Sequence, residues 1–174
     1  PSGTDYESGV RRGAYEVVHE ANPDVVLVAS GSEVSTLADT AALLANDGIK
    51  ARVVSCPSEG LFRRQPKEYQ ESLLPTDFPI FGLTAGLPIT FEGLVGNKGK
   101  VHGLESFGFS APYKVLDEKL GYTAENIYRE VKDYWEFGMT QTQKPLGLAS
   151  DHAGFELKQF VKTYLDQHAI PYKD

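Results

Sequence analysis

The sequence predicts an α/β fold: three layers, α/β/α, around a mostly parallel sheet with one antiparallel edge strand, followed by an incomplete βα unit. Three observations carry this. Short β-rich runs such as "DVVLVAS" (24–30) and "ARVVS" (51–55) alternate with segments of helical apolar spacing. The connections between them are short, which places helices on both faces of a sheet of parallel strands. Finally, "GAYEVV" (13–18) and "DVVLVAS" are separated only by "HEANP". That link is too short for a crossover, so the first strand must run antiparallel to the second.

The elements follow in order. Strands are expected at Ala14–His19 and Val25–Ser30, with Asn22-Pro23 marking the turn between them. In "GSEVSTLADTAALLANDGIK" (31–50), Val34, Leu37, Ala38, Ala41, Ala42 and Leu44 recur at helical spacing, and Gly48 ends the helix. The strand "ARVVS" comes next. "CPSEGLFRRQPKEYQESLLP" (56–75) gives loop residues and short helices, "FPIFGLTAG" (78–86) a β-like run, and "ITFEGLVG" (89–96) a small amphipathic segment. The turn "NKGK" (97–100) leads into "VHGLE". Ser110 and Pro112 open a helix that Gly121 closes, and Thr123 caps another, along which Ile127, Val131, Tyr134 and Trp135 share one face. After Gly138, "MTQTQK" shows no periodicity and reads as a linker. "PLGLASDHAGFELKQFVKTYLDQHAIPYKD" (145–174) then gives a strand, a polar turn and a helix with Phe155, Leu157, Phe160, Val161 and Leu165 on one face.

The expected domains are thus a linker over 1–10, an α/β domain over 11–137, a second linker over 138–144 and the truncated start of another α/β domain over 145–174. A length of 174 residues suits one domain and an appendage. The sequence opens without methionine and its one Met is Met139, so it reads as a piece of something longer.

Composition excludes several classes of function. Seventeen Lys and Arg are scattered among 24 Asp and Glu, a net charge of −7, so no basic stripe exists to neutralise a nucleic-acid backbone. No apolar run approaches a bilayer span, and "PSGTDYESGV" lacks the regions of a signal peptide, which points to a cytoplasmic protein without membrane contact. A single cysteine, Cys56, rules out an internal disulfide and a multi-cysteine metal site; it reads as a small buried residue rather than a nucleophile. No metal site is expected.

"VVLVASGSEV" runs from a buried strand into Gly31, Ser32 and Glu33 as a helix begins. Free N–H groups of a first helical turn favour a phosphate or carboxylate, which makes Gly31 and Ser32 candidates for binding a regulatory anion or nucleotide. The plainer reading is a helix cap, because the stretch lacks the glycine density of a phosphate loop, no Lys follows, and Glu33 repels an anion. His19 and His102 are isolated and read as packed or surface histidines rather than bases.

"ASGSEVSTLADTAALLANDGIKARVVSCPSEGLF", "YQESLLP" and "GLESFGFSAPYKVLDEKLGYTAENI", in order and almost without gaps, resemble the C-terminal domain of transketolase over roughly residues 10–137. The resemblance implies a parent enzyme that transfers a two-carbon ketol unit between sugar phosphates in the pentose phosphate pathway, using thiamine diphosphate and a divalent metal. In that family the cofactor sits on the N-terminal and middle domains. The GDG signature with its following asparagine pair is absent here. The implied role is therefore assembly: a domain without catalytic residues or bound cofactor of its own, inactive alone, partnered by the remaining transketolase domains in a homodimer. Phe107 and Phe109, which flank Gly108, are the candidate subunit contacts.

"SDHAGFELK" resembles the opening of type-B ribose-5-phosphate isomerase, and "IPYKD" its second strand. The resemblance makes Asp151 and His152 candidate substrate-binding residues, while that family's cysteine base, glycine-rich loop and arginines have no counterpart here. Met139 and the polar run after it look like the start of an isomerase joined to the end of a transketolase. Residual sugar-phosphate isomerase activity through this tail is the remaining alternative function.

Overall fold

The computed structural model describes residues 6–141, 146–147, 155–167 and 172–173. They fall into two units, one running to Trp135 and the other starting at Glu136.

The first unit is built on a five-stranded sheet. Its strands are β1 (Tyr15–Val18), β2 (Val25–Ala29), β3 (Ala51–Ser55), β4 (Ile80–Leu83) and β5 (Lys100–His102), in the order β1-β3-β2-β4-β5. Pairs β2–β3, β2–β4 and β4–β5 are parallel, and β1 pairs antiparallel with β3 at the edge. The mostly parallel three-layer fold is thus as the sequence predicts. Every residue of β2 is buried, because a central parallel strand is covered on both faces and selects a continuous apolar run. Its alternation divides the core. Val25, Leu27 and Ala29 pack with Leu37 and Leu44 of α2 (Glu33–Asn46) and with Ile127 and Val131 of α7 (Ala124–Gln141). Val26 and Val28 pack with residues of α3 (Glu59–Arg63), α4 (Lys67–Leu73) and α5 (Ile89–Val95), among them Phe62, Leu73, Phe91 and Leu94. The short α6 (Tyr113–Leu120) precedes α7 and ends at Gly121, whose φ of 81° is the left-handed conformation that a C-terminal glycine accepts without strain.

Three expectations need adjustment. β1 runs in the expected direction, but its hydrogen-bonding neighbour is β3 and not β2, because β2 already has a parallel neighbour on each side. The crossing is held by Arg52 of β3. Its Nε and Nη2 donate to Glu20 O at 3.1 and 2.8 Å, its Nη1 donates to Ser72 O at 2.8 Å, and its Nε lies 3.1 Å from Glu16 Oε1. Second, the stretch read as a linker over 1–10 contains most of a helix, α1 (Tyr6–Arg12), anchored by an edge-on contact between Tyr6 and Tyr15 with ring centroids 5.5 Å apart. Third, α7 continues through Gln141, past Gly138 where a linker was expected. One glycine weakens a helix by about 1 kcal/mol, which does not stop one already anchored by Ile127 and Val131.

The second unit contains β6 (Leu146–Gly147), α8 (Phe155–Gln167) and β7 (Tyr172–Lys173), with β6 and β7 parallel. This is a strand–helix–strand unit. On α8, Leu165 is buried, whereas Leu157 and Phe160 of the expected apolar face are exposed.

Candidate functional site

Open parallel sheets take ligands outside the C-terminal ends of their strands, so that end of the first unit is where a site is expected. Each strand delivers something different there.

After β2 comes the Gly31–Ser32 turn. Gly31 has φ 68° and Ser32 occupies the N-cap of α2, but its side chain makes no capping bond. The Ser32 hydroxyl instead donates to Glu33 Oε1 at 3.0 Å, and a Cβ on Gly31 would lie 3.6 Å from Glu33 Oε2. A carboxylate therefore lies at the turn where an anion would have to sit. Ser32 thus does not cap α2 through its side chain, contrary to the plainer sequence reading, and nothing in this geometry supports the regulatory-anion alternative.

After β3 comes Cys56, buried, its N–H donating to Ala29 O at 2.8 Å. Burial, together with the Glu59 charge, pushes its thiol up to about 11, so it carries almost no thiolate at neutral pH.

The ends of β4 and β5 are tied together. Thr84 N donates to His102 O at 3.0 Å, and Leu104 N donates to Gly86 O at 2.8 Å. Gly103 is required by this approach, since a Cβ there would lie 2.7 Å from Gly86 O. The Tyr122 hydroxyl donates to Thr84 O at 2.7 Å, and burial, with the Glu33 charge adding to it, pushes that phenol up to about 12.

His102 is the centre of the one polar network here that reaches into the packed interior. Its Nδ1 lies 3.1 Å from Glu130 Oε1 and its Nε2 3.0 Å from Leu120 O. A carboxylate and a carbonyl can only accept, so both ring nitrogens donate and the ring is an imidazolium. The Glu130 hydrogen bond raises the His102 pKa despite burial, and the reciprocal bond lowers that of Glu130. Asn126 Nδ2 donates to both Gly121 O and Glu130 Oε1 at 3.0 Å, and Lys100 Nζ lies 3.5 Å from Glu130 Oε2. With both ring nitrogens engaged, His102 clamps β5 to the α6–α7 turn. His19 is exposed and pairs with Glu16. In the sequence His102 reads only as an isolated histidine, because the other members of its network, Glu130 and Asn126, lie more than twenty residues away and give no local signal.

Beyond β5 the surface becomes apolar. Phe107 is 99% and Phe109 56% exposed, and Lys119 Nζ stands 5.3 Å from the Phe109 ring centroid. Asp151 and His152 lie outside the described residues. No group of three His, Cys, Asp or Glu that could hold a metal occurs among the described residues. Nor is any described helix long and apolar enough to cross a membrane. A diphosphate bridged to a divalent ion needs convergent oxygen ligands; no such cluster occurs among the described residues, and the Glu33 carboxylate stands at the Gly31–Ser32 turn.

A model of the transketolase-like TK C-terminal domain matches residues 13–123. The chain belongs to the transketolase C-terminal domain family. Transketolase of Staphylococcus epidermidis is 41% identical over 128 residues, 72% of this chain and 19% of that protein. Transketolase of Aquifex aeolicus is 40% identical over 129 residues, 73% and 19% respectively. Among solved structures, transketolase from Leishmania mexicana superposes with a TM-score of 0.70 at 38% identity, over 78% of this chain and 19% of its own. Transketolase from Campylobacter jejuni gives 0.66 at 32%, over 71% and 19%. The chain thus spans about a fifth of the length of the transketolases it matches, and the match lies on the first unit's sheet and helices up to the α6–α7 turn.

Proposed function

We propose that this chain is the assembly domain of a transketolase, non-catalytic by itself, and that it completes an enzyme transferring a two-carbon ketol unit between sugar phosphates in the pentose phosphate pathway. The observation that carries the reading is the match to the transketolase-like C-terminal domain over residues 13–123. Thiamine diphosphate and a divalent metal belong, on this reading, to the parts of the enzyme outside this chain, where the cofactor supplies the carbanion chemistry. What these residues do is hold a surface: His102, Glu130 and Tyr122 fix the loops beyond β4 and β5, and Phe107 and Phe109 make contact with the remaining transketolase domains. The completed enzyme is a cytoplasmic homodimer. Titration calorimetry of this chain with thiamine diphosphate and magnesium, beside a coupled assay with a ketose phosphate donor and an aldose phosphate acceptor, tests the reading. No saturable binding and no turnover are expected, and micromolar cofactor binding would overturn it.

The second unit favours a further reading, that residues 145–174 begin a type-B ribose-5-phosphate isomerase fused to the transketolase. Its support is the parallel pairing of β6 and β7 through α8, the unit with which such a sheet begins. Asp151 and His152 would then face the sugar. A ribose-5-phosphate isomerase assay on the longer polypeptide, wild type against His152→Ala, tests this; activity is expected only from the wild type.

A further inference from the structure

Between α4 and α5, over the start of β4, lies a cavity of about 300 Å³, at the lower end of the range for small-molecule sites, about 300–1,000 Å³. Ile80 and Lys98 place it where β4 and β5 begin, away from the strand ends described above. Its floor is apolar: Leu74, Ile80 and Leu94 are buried, and Pro75 and Phe78 are half-buried. Its rim is charged. In a chain of net charge −7, that rim carries three cations, Arg63, Lys67 and Lys98, against two acids, Glu71 and Asp77. Both acids are already engaged. Glu71 accepts from Thr76 N at 2.7 Å and from the Thr76 hydroxyl. Those bonds, with the Lys67 charge adding to them, hold the Glu71 carboxyl below the usual carboxylate range. Asp77, the one non-glycine with a positive φ among the described residues (61°), sets its carboxylate 3.4 Å from Lys98 Nζ. Arg63 and Lys67 keep donors to spare. Arg63 Nε donates to Glu59 Oε1 at 2.6 Å, and neither Nη has a hydrogen-bond acceptor among the described residues. Lys67 is exposed and likewise makes no hydrogen bond there.

The place of the Arg63 fork depends on one glycine. A Cβ on Gly93 would lie 2.3 Å from Arg63 Nη2, so the guanidinium rests against the backbone of α5, and any other residue there would displace it. Glycine inside a helix costs about 1 kcal/mol relative to alanine. The short α5 bears that cost at the residue the guanidinium covers. The surroundings are held as well. Gln70 Nε2 donates to Arg63 O at 3.2 Å and to Gln65 O at 2.8 Å, which ties the end of α3 to α4. Across the cavity, Gly99 N donates to Gly96 O at 3.1 Å and the Tyr134 hydroxyl to Lys98 O at 2.6 Å. Little ordering is left for a ligand to impose. A guanidinium with both terminal nitrogens free binds a carboxylate or phosphate through paired, charge-assisted hydrogen bonds, and an ammonium beside it adds a second charge. We propose that this cavity is a binding site for a small organic anion, its acidic group taken by Arg63 and Lys67 and its apolar body lying on Leu74, Pro75 and Phe78. Such a site goes beyond the assembly role and stands whether or not that role holds.

Titration calorimetry and heteronuclear NMR of this chain with phenyl phosphate and with phenylacetate test it, beside inorganic phosphate and phenol as half-ligands. At least one of the two aromatic anions should bind saturably with a Kd below roughly 1 mM, and the tighter of them names the acidic group. Amides of Phe78, Gly93 and Lys98 should shift, and those of Gly31 and Gly103 should not. Inorganic phosphate and phenol should each bind at least about tenfold more weakly, since each lacks half of the recognition. Arg63→Gln should weaken binding at least about tenfold. Arg64→Gln, at an exposed arginine that does not line the cavity, should leave it unchanged. Gly93→Ala removes no charge and favours the helix, so a loss of affinity there reports the displaced fork even if Arg63→Gln disturbs folding. No saturable binding of either aromatic anion, equal losses from Arg63→Gln and Arg64→Gln, or inorganic phosphate binding as tightly as phenyl phosphate would each overturn the site.

Discussion

Replacing His102 with Ala removes a cation that donates to two acceptors at once. Leu120 O loses its donor, and Glu130 keeps Asn126 Nδ2 and Lys100. Hydrogen bonds to charged groups contribute about 1.5–3 kcal/mol each when a partner is left unsatisfied. Because Glu130 retains two partners and is partly solvated, a total loss of about 2 kcal/mol is expected. With a urea m-value of about 1–3 kcal/mol/M, the midpoint should fall by about 1 M. The pH dependence separates this clamp from simple packing. The folded His102 pKa is raised, so its contribution is fully present below the unfolded value of about 6.5 and is lost as pH rises through the folded pKa. The folded Glu130 pKa is lowered, so its contribution is present above the unfolded value of about 4.3 and is lost as pH falls through the folded pKa. The gap between wild type and His102→Ala should therefore be widest between about pH 4.5 and 6.5 and shrink toward pH 9. Urea titrations at pH 5.5, 7 and 9 measure it. A gap that is constant over that range would show that the ring acts only by filling space.

Other expectations follow from the same structure. Arg52→Met should lower stability by about 3 kcal/mol, because Glu20 O, Ser72 O and Glu16 would all lose a buried charged donor; chemical denaturation checks this, and a change under 1 kcal/mol would mean the crossing of β1 does not depend on it. Cys56 should react with iodoacetamide at pH 7 at least about 100-fold more slowly in the folded chain than in urea, since its thiol is pushed up to about 11 and it is buried. Gly103→Val should separate the β4 and β5 loops, seen as faster amide exchange at Leu104 and Thr84 with the exchange of β2 unchanged. In the wild type, amides of Val25–Ala29 should exchange orders of magnitude more slowly than those of α8, whose Leu157 and Phe160 lie exposed.

The sheet was legible because burial on both faces forces its residue types: "VVLVA" and "ARVVS" are continuous runs with no polar alternation except Arg52, and their limits in the structure match to within a residue. Helix ends were legible wherever Gly48, Gly121 or Thr123 supplied a local stop or cap. What failed was non-local. The neighbour of β1 depends on which edges β2 has already used, which no short-range pattern encodes. α1 lay in a stretch whose polar composition read as a linker, and its anchor, Tyr6 against Tyr15, is visible only once the chain has folded back. At the Gly31–Ser32 turn, the direction of the Glu33 carboxylate, which takes the Ser32 hydroxyl away from the helix N–H groups, is a rotamer that spacing does not give. Phe107 and Phe109 stand out in the sequence as candidate contacts because they flank Gly108, and both are exposed; the exposure of Leu87 and Ile89 on the neighbouring loop gave no such local signal.

The central claim, that these residues complete a transketolase without taking part in its chemistry, is tested most directly by exchange. Residues 13–123 would replace the matching C-terminal segment of Staphylococcus epidermidis transketolase, 41% identical to this chain, and ketol transfer would be followed in a coupled assay. The account predicts turnover within about tenfold of the parent, an activation difference of about 1.4 kcal/mol or less, with a pH–rate profile unmoved by His102→Ala. A folded, cofactor-loaded chimera whose turnover collapses, or whose pH–rate profile shifts with that substitution, would contradict it.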